Sequence, residues 1–268
     1  MMRRRLGDDS GLVYLEFLLA IFPVMLVFLG TVQLALSAAA QLVVRHAAVN
    51  AVRSAIVVLD DDPVHYSGAA RGELGQATSP TDALVGVVNN VAQGMTFQKV
   101  LEQFTVTSRL DVIRRAASAP LAPFAPSASE VIQWFLPNTP ESVARAVGSS
   151  GLDRPLFGLL AYDAATVAVT FPDAPASTTL ATTTVSSDSV TVRVTYLFRC
   201  GVPVVAALAC KSLTDVLSDS NASRELAHVA DTRERDLLKG THERFLVLTA
   251  EATLPRQSAG YEATKNAT

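Results

Sequence analysis

Few residues of this 268-residue sequence carry chemistry, and their spacing argues against catalysis. Four histidines, His46, His65, His228 and His242, are scattered along the chain. No HExxH, GxSxG, phosphate-binding loop or dinucleotide-binding loop accompanies them. His46 stands alone in an Ala-rich helical pattern, where a solvated or packed imidazole is the ordinary outcome. Asp60, Asp61 and Asp62 could attract calcium, but they lack the spaced ligands and the central Gly of a calcium loop. Charges from Arg224 to Arg244 alternate in sign at helical spacing, the pattern of a solvated helix with local ion pairs. Asn221-Ala222-Ser223 and Asn266-Ala267-Thr268 fit a glycosylation acceptor pattern, one short enough to arise often by chance. These residues lead to the expectation of a non-enzyme with no cofactor and no metal.

Two further features ask for a reason. Cys200 and Cys210 are the only cysteines, ten residues apart with Gly201 and Pro203 between them. They form no CxxC pair and no His/Cys cluster, which argues against a zinc site or a redox dithiol. In an exported segment such a pair is expected to be oxidised, closing a loop worth on the order of 2–4 kcal/mol, the alternative being two buried thiols. Glu16 lies at the beginning of an apolar run. An ionisable group there marks a function or a specific partner, or else it rests among lipid headgroups and complements the helix dipole.

The element that must position Glu16 is unusually apolar. From Phe17 to Val44 there is no Asp, Glu, Lys or Arg, a run of 28 residues, whereas about 20 suffice to cross a bilayer as a helix. LEFLLAIFPVMLVFLG is apolar on nearly every face, whereas a surface helix of a soluble globule would show a polar stripe. Arg3, Arg4 and Arg5 precede the run and Arg45 is the next positive charge, so the basic end is expected in the cytoplasm and the remainder exported. VPVVAALAC, residues 202–210, is too short to span, which leaves a single crossing. A secretory signal cleaved near Ala38-Ala39-Ala40 competes with this reading, but the apolar stretch exceeds the usual length and carries Glu16 at its start. The composition, 49% hydrophobic with a net charge of −3, excludes a disordered chain and gives no electrostatic footprint for nucleic acid.

The order of residues at the N-terminus adds a resemblance. A basic leader is followed by Gly11, four mostly apolar residues from Leu12 to Leu15, then Glu16, Phe17 and the long apolar helix. This looks like the class III signal of type IV prepilins. With the downstream VVRHAAVNAVRSAIVV, the N-terminal part, roughly residues 7–60, resembles the TadE-like proteins, minor pilins or pseudopilins of tight-adherence (Flp-type) pili. The resemblance implies cleavage between Gly11 and Leu12 by a prepilin peptidase, with Glu16 fifth in the mature chain and Phe17 completing the motif. It also implies, as partners, other pilins or pseudopilins, the pilus assembly platform and membrane lipid. The family's proline commonly stands six residues past the glutamate, whereas Pro23 stands seven past Glu16, so no role is carried onto it. Helix packing in lipid would use small residues such as Gly30, Ala35, Ser37 and Ala39.

Beyond the membrane the spacing of Leu42, His46, Val49, Arg53 and Ile56 continues the helix to Leu59, and Asp60 to Pro63 closes it. Residues 67–84 read as a loop and Val85 to Phe104 as helical. Residues 108–119 admit either a helix or a strand. Pro120 to Pro140, with five prolines, reads as an irregular excursion with a short helix around Val131 to Phe135, and Thr139-Pro140-Glu141 as a helix start. The period then becomes two around Val167–Phe171, Val190–Phe198 and Leu246–Ala252, which predicts three strands of an antiparallel sheet. The expected fold is α+β: a long N-terminal helix, first transmembrane and then an exposed stalk, followed by a globular domain with a sheet of about three strands and covering helices. The expected divisions are a cytoplasmic leader at 1–11, the membrane helix at 12–44, the stalk at 45–62 and a periplasmic domain at 63–268. The corresponding location is the bacterial inner membrane. A helix used only to tether a periplasmic binding or enzyme domain is the competing function.

Overall fold

A computed structural model describes residues 10–75, 108–124, 167–173, 185, 188–218 and 244–256. Helix α1 runs unbroken from Ser10 to Val58, 49 residues with Pro23 inside. It leads a life in two halves. From Tyr14 to Val32 most of its large apolar side chains, among them Leu15, Phe17, Leu19, Phe22 and Val27, are exposed. From Ala40 onward one face is enclosed, with Ala40, Val44, Ala47, Ala48, Ala51, Val52, Ala55 and Leu59 fully buried.

The helical continuation to Leu59 follows the predicted period, but the buried face is not the one marked by Leu42, His46, Val49, Arg53 and Ile56. Leu42 is 65% exposed, and His46 and Arg53 point to solvent. The core face is built from alanines at three- and four-residue spacing, because small side chains let the helix backbone approach the sheet closely. The stalk segment is therefore the core helix of the domain along that face. The domain also reaches α1 inside the segment 12–44 expected in the membrane, since Gln33 is buried at 4% exposure.

Among the described residues the sheet has four strands where the sequence predicts about three: β1 (Val167–Thr170), β2 (Ser189–Arg199), β3 (Lys211–Ser212) and β4 (Arg244–Pro255), in the order β1-β2-β4-β3, with all pairings antiparallel. The extra strand has two residues, too few for any period to register. In β2, Val190, Val192, Val194, Tyr196 and Phe198 turn inward and pair with Leu254, Ala252, Ala250, Leu248 and Leu246 of β4. The opposite face carries Thr191 against Thr253 and Arg193 against Glu251, the polar cross-strand pairs expected of a solvated sheet surface. Helix α1 lies over the inward face and runs alongside β4. Gln41 Nε2 donates to the carbonyl of Thr249 at 2.9 Å, and Asp60 pairs with Arg256 just past the end of the strand.

Helix α2 (Arg109–Ser118) resolves the ambiguity of that segment in favour of helix. Ser108 caps it, accepting from the Asp111 N–H at 3.1 Å, and a 3-10 turn, Ala119–Phe124, follows. Its first residue holds the end of α1. Arg109 is fully buried, and its guanidinium donates to the carbonyls of Val58 at 2.9 Å, Asp61 at 3.1 Å, Ala69 at 3.1 Å, Ala70 at 2.8 Å and Glu73 at 3.1 Å. It also lies 4.6 Å from the centroid of the Tyr66 ring. A planar five-donor group is the only side chain able to satisfy so many converging carbonyls. The turn it organises has Gly72 at φ +81°, its N–H bonded to the Leu59 carbonyl and a Cβ there only 3.1 Å from the Val185 carbonyl oxygen, so a side chain would be both strained and crowded. Two short helices, α3 (Pro203–Ala209) and α4 (Leu213–Ser218), flank β3.

The expected helix at Val85–Phe104, the short helix at 131–135, the helix start at Thr139 and most of the charged segment 224–244 lie outside the described residues. Replacing Arg109 with Met leaves five carbonyls without their donor, and we expect it to destabilise the detergent-solubilised chain by about 3 kcal/mol or more, with Arg109→Lys recovering only part of that loss. Urea unfolding of both variants measures it; wild-type stability in Arg109→Met would remove Arg109 as a support of the fold.

Candidate functional site

The residues singled out in the sequence fall into two groups far apart on α1. Gly11 and Leu12 lie at the helix start, and Glu16 and Phe17 are exposed one turn further on. Four residues of helix put the Leu12 and Glu16 backbones about 6 Å apart along the axis on neighbouring positions of one face. Cys200 and Cys210 lie beyond the other end of the bare segment, 17 helical residues from Glu16 at the level of Gln33, which is about 25 Å along the axis. The structure does not bring the two groups together.

Two hydroxyls on the apolar part of α1 bond back to its own backbone. The Thr31 hydroxyl donates to the Phe28 carbonyl at 2.7 Å and the Ser37 hydroxyl to the Leu34 carbonyl at 2.8 Å, which lets both sit in an apolar surround. At Gly30 an added Cβ would meet nothing within 4 Å, so the helix surface there is open.

The cysteine sulfurs are within bonding distance, with Cα atoms 6.6 Å apart, so the disulfide expected from the sequence is present. It closes a loop that carries α3 and buries Ala206 against the sulfurs, with Leu246 packed on them. The loop leans on α1 through Gln33, whose Oε1 accepts from the Val202 N–H at 3.3 Å while its Nε2 is buried without a partner. Arg244 Nη1 donates to the carbonyls of Cys210 at 3.2 Å and Ala207 at 3.4 Å, supplying donors to the end of α3.

At the far end of the domain each of the three consecutive carboxylates has its own structural partner. Asp60 forms a two-oxygen pair with Arg256, whose Nη1 also donates to the Val185 carbonyl at 2.8 Å; the Asp60 hydrogen bonds hold the Arg256 guanidinium more firmly protonated. Asp61 accepts from the Asp62 N–H at 2.8 Å and the Tyr66 hydroxyl at 3.1 Å, and the backbone bond first, then Tyr66, lowers its pKa below 3.8. Burial, helped by the Asp61 carboxylate, raises Tyr66 above 10.0. Asp62 accepts from the Val64 N–H at 3.0 Å and caps the turn Pro63–Tyr66. Of the histidines, His46 faces Asn50 at 3.4 Å and His65 sits in that exposed turn, while His228 and His242 lie outside the described residues. Among the described residues no group of three or more His, Cys, Asp or Glu is placed to hold a metal.

Sequence reasoning missed Gln33, Arg109 and Arg256. A capping pattern was present for Arg109: Ser108 followed by Asp111 is an S-x-x-D helix start. Gln33 was also visible as the strongly polar side chain midway along the apolar run, but nothing in the sequence names Val202 as its partner. Among the described residues the geometry defines one membrane-length apolar helix, its most apolar stretch unburied by the protein, leading into a small antiparallel α+β domain. No protein-family model, no curated protein and no solved structure matches it.

Two measurements follow from these contacts. Replacing both cysteines with Ser should lower stability by about 2–4 kcal/mol and loosen the Gln33 contact, read as faster amide exchange at Val202; unchanged stability would show that the loop needs no covalent closure. The Asp61–Tyr66 pair should give stability a pH dependence at both extremes. The lowered Asp61 pKa contributes stability present above pH 3.8 and lost as pH falls through the folded value, whereas the raised Tyr66 pKa contributes stability present below pH 10.0 and lost as pH rises through its folded value. Tyr66→Phe should remove the alkaline loss, and an unfolding midpoint that still falls above pH 10 in that variant as in wild type would assign it elsewhere.

Proposed function

We propose that this chain is a pilin-like, single-pass component of Tad/Flp-type pilus assembly, a minor pilin or pseudopilin that acts structurally to initiate, cap or anchor a filament. The observation that carries the reading is the division of α1. One continuous helix presents a bare apolar half and buries its other half under an antiparallel sheet. That is the plan of a subunit able to be held in lipid by its N-terminal half and to exchange lipid for neighbouring helices on assembly.

In this reading the chain lies in the bacterial inner membrane with its basic N-terminus cytoplasmic and its domain periplasmic. A prepilin peptidase cuts between Gly11 and Leu12, leaving a charged amine one helical turn from Glu16. An unpaired carboxylate in an apolar surround is costly, so Glu16 and the Leu12 amine of a neighbouring subunit favour each other's approach. The open surface at Gly30, with Ser37 two turns further on the same side and Ala35 and Ala39 on the opposite one, offers neighbouring helices small residues for close packing. The partners are other pilins or pseudopilins, the assembly platform, the peptidase and lipid. The protein catalyses nothing, and adhesion or secretion would be the output of the filament.

The test is Glu16→Ala in the native host. Insertion and domain folding should be unchanged, while co-purification with other filament subunits should fall at least about tenfold, the effect of losing some 1.4 kcal/mol of pairing. Undiminished assembly would contradict the role of Glu16 and favour a helix that merely tethers a periplasmic domain.

A further inference from the structure

We propose that the disulfide-closed loop, residues 200–210, is a second membrane contact, seating the exposed face of α3 in the headgroup layer of the same bilayer that α1 enters; this rests on the reading of α1 as a membrane span. Helix α3, with the sequence PVVAALA, has no polar side chain at all. Its Val204 and Leu208 are one turn apart and 45% and 79% exposed, while Ala206 faces the disulfide. A short apolar face of this kind, surrounded by water, would be an unexplained cost.

Its level along α1 supplies the occupant. Val202, the residue before α3, bonds Gln33, and the 19 residues from Tyr14 to Gln33 rise roughly 29 Å, close to the thickness of a bilayer hydrocarbon core. A bilayer entered near Tyr14 is therefore left near Gln33, where α3 lies beside the helix. From the Gln41–Thr249 bond, the five residues of β4 back to Arg244 descend roughly 17 Å, which puts the end of the sheet at about the same level. The exposed face of α3 thus continues the lipid-facing surface of α1.

The chemistry of the loop suits that depth. Arg244 supplies donors to the carbonyls of Ala207 and Cys210, groups that would otherwise enter an apolar layer unpaired. Arg199, exposed Lys211 and Arg244 flank the loop and place positive charge where anionic phosphates lie. The disulfide fixes the two ends of α3, so its apolar face stays presented. Together these features describe an interfacial element that sets how deep the domain sits and how it is rotated about α1.

The experiment uses the full chain with its single tryptophan replaced, Trp134→Phe, and one tryptophan introduced as Leu208→Trp or, as a reference in the span, Phe22→Trp. Each protein is reconstituted in phosphatidylcholine–phosphatidylglycerol vesicles with acyl chains plain, brominated near the headgroup or, for the Phe22→Trp reference, brominated near the chain ends, since Phe22 lies about 12 Å past Tyr14. We expect Leu208→Trp to emit to the blue of a water-exposed indole and to lose the larger part of its emission in brominated vesicles, with Val204→Trp behaving alike. If Phe22→Trp is quenched while Leu208→Trp and Val204→Trp are not, α1 spans but the loop does not touch lipid, and the proposal is overturned; a blue-shifted yet unquenched signal means that protein covers the face instead, which overturns it equally. If Phe22→Trp is also unquenched, α1 itself is outside the bilayer and the span reading falls with it.

Discussion

Helix α1 serves two surroundings with one continuous backbone, bare along its first half and covered by the sheet along one face of its second. Apart from its two ends and the bond lost at Pro23, the backbone between Ser10 and Val58 satisfies itself within the helical ladder, so the same element can be bare along one half and enclosed by the sheet along the other. The side chains change accordingly: bulky Leu, Phe, Val and Met on all faces in the first half, a stripe of alanines on one face in the second. The position of the sheet follows. Strand β4 is laid along the helix by the Gln41–Thr249 bond near the middle and the Asp60–Arg256 pair at the end, and β2 is brought in by its register with β4.

The end of α1 is the other place where the fold must be specified. A helix terminus leaves its last carbonyls unmatched, and here the chain turns back at once through a glycine-rich segment with carbonyls of its own. Arg109 gathers both sets. Burying a guanidinium is costly unless its donors are satisfied, and here all three nitrogens bond carbonyls while the ring of Tyr66 covers the plane. The part-exposed pair of Arg193 and Glu251 contributes less by comparison, since water reaches and screens both groups.

Much of this architecture was legible in the sequence, and the exceptions have physical causes. The apolar run announced α1, the period of two announced β1, β2 and β4, and the isolated pair of cysteines, on the expectation of export, announced the disulfide. The two-residue β3 carries no period. The second half of α1 was expected as an exposed stalk, because a stripe of alanines carries little hydrophobic weight, although close approach to a sheet selects for them. Arg109, Gln33 and Arg256 act through partners 30 or more residues away, and no local pattern encodes such pairings. At the N-terminus the situation is reversed: the Gly11, Glu16 and Phe17 pattern suggests a role through a resemblance, while the folded chain gives Glu16 no partner of its own among the contacts described. Its proposed partner belongs to another subunit.

The proposed role in a filament depends most directly on what happens at Gly11. Intact mass and N-terminal sequence should be determined for the protein taken from native membranes, with and without the host's prepilin peptidase. A chain beginning at Leu12 only when the peptidase is present is the expected result. A chain beginning at Met1 in both strains, or near Gln41 in either, would contradict it, the first leaving an uncleaved anchor and the second a domain released from the membrane.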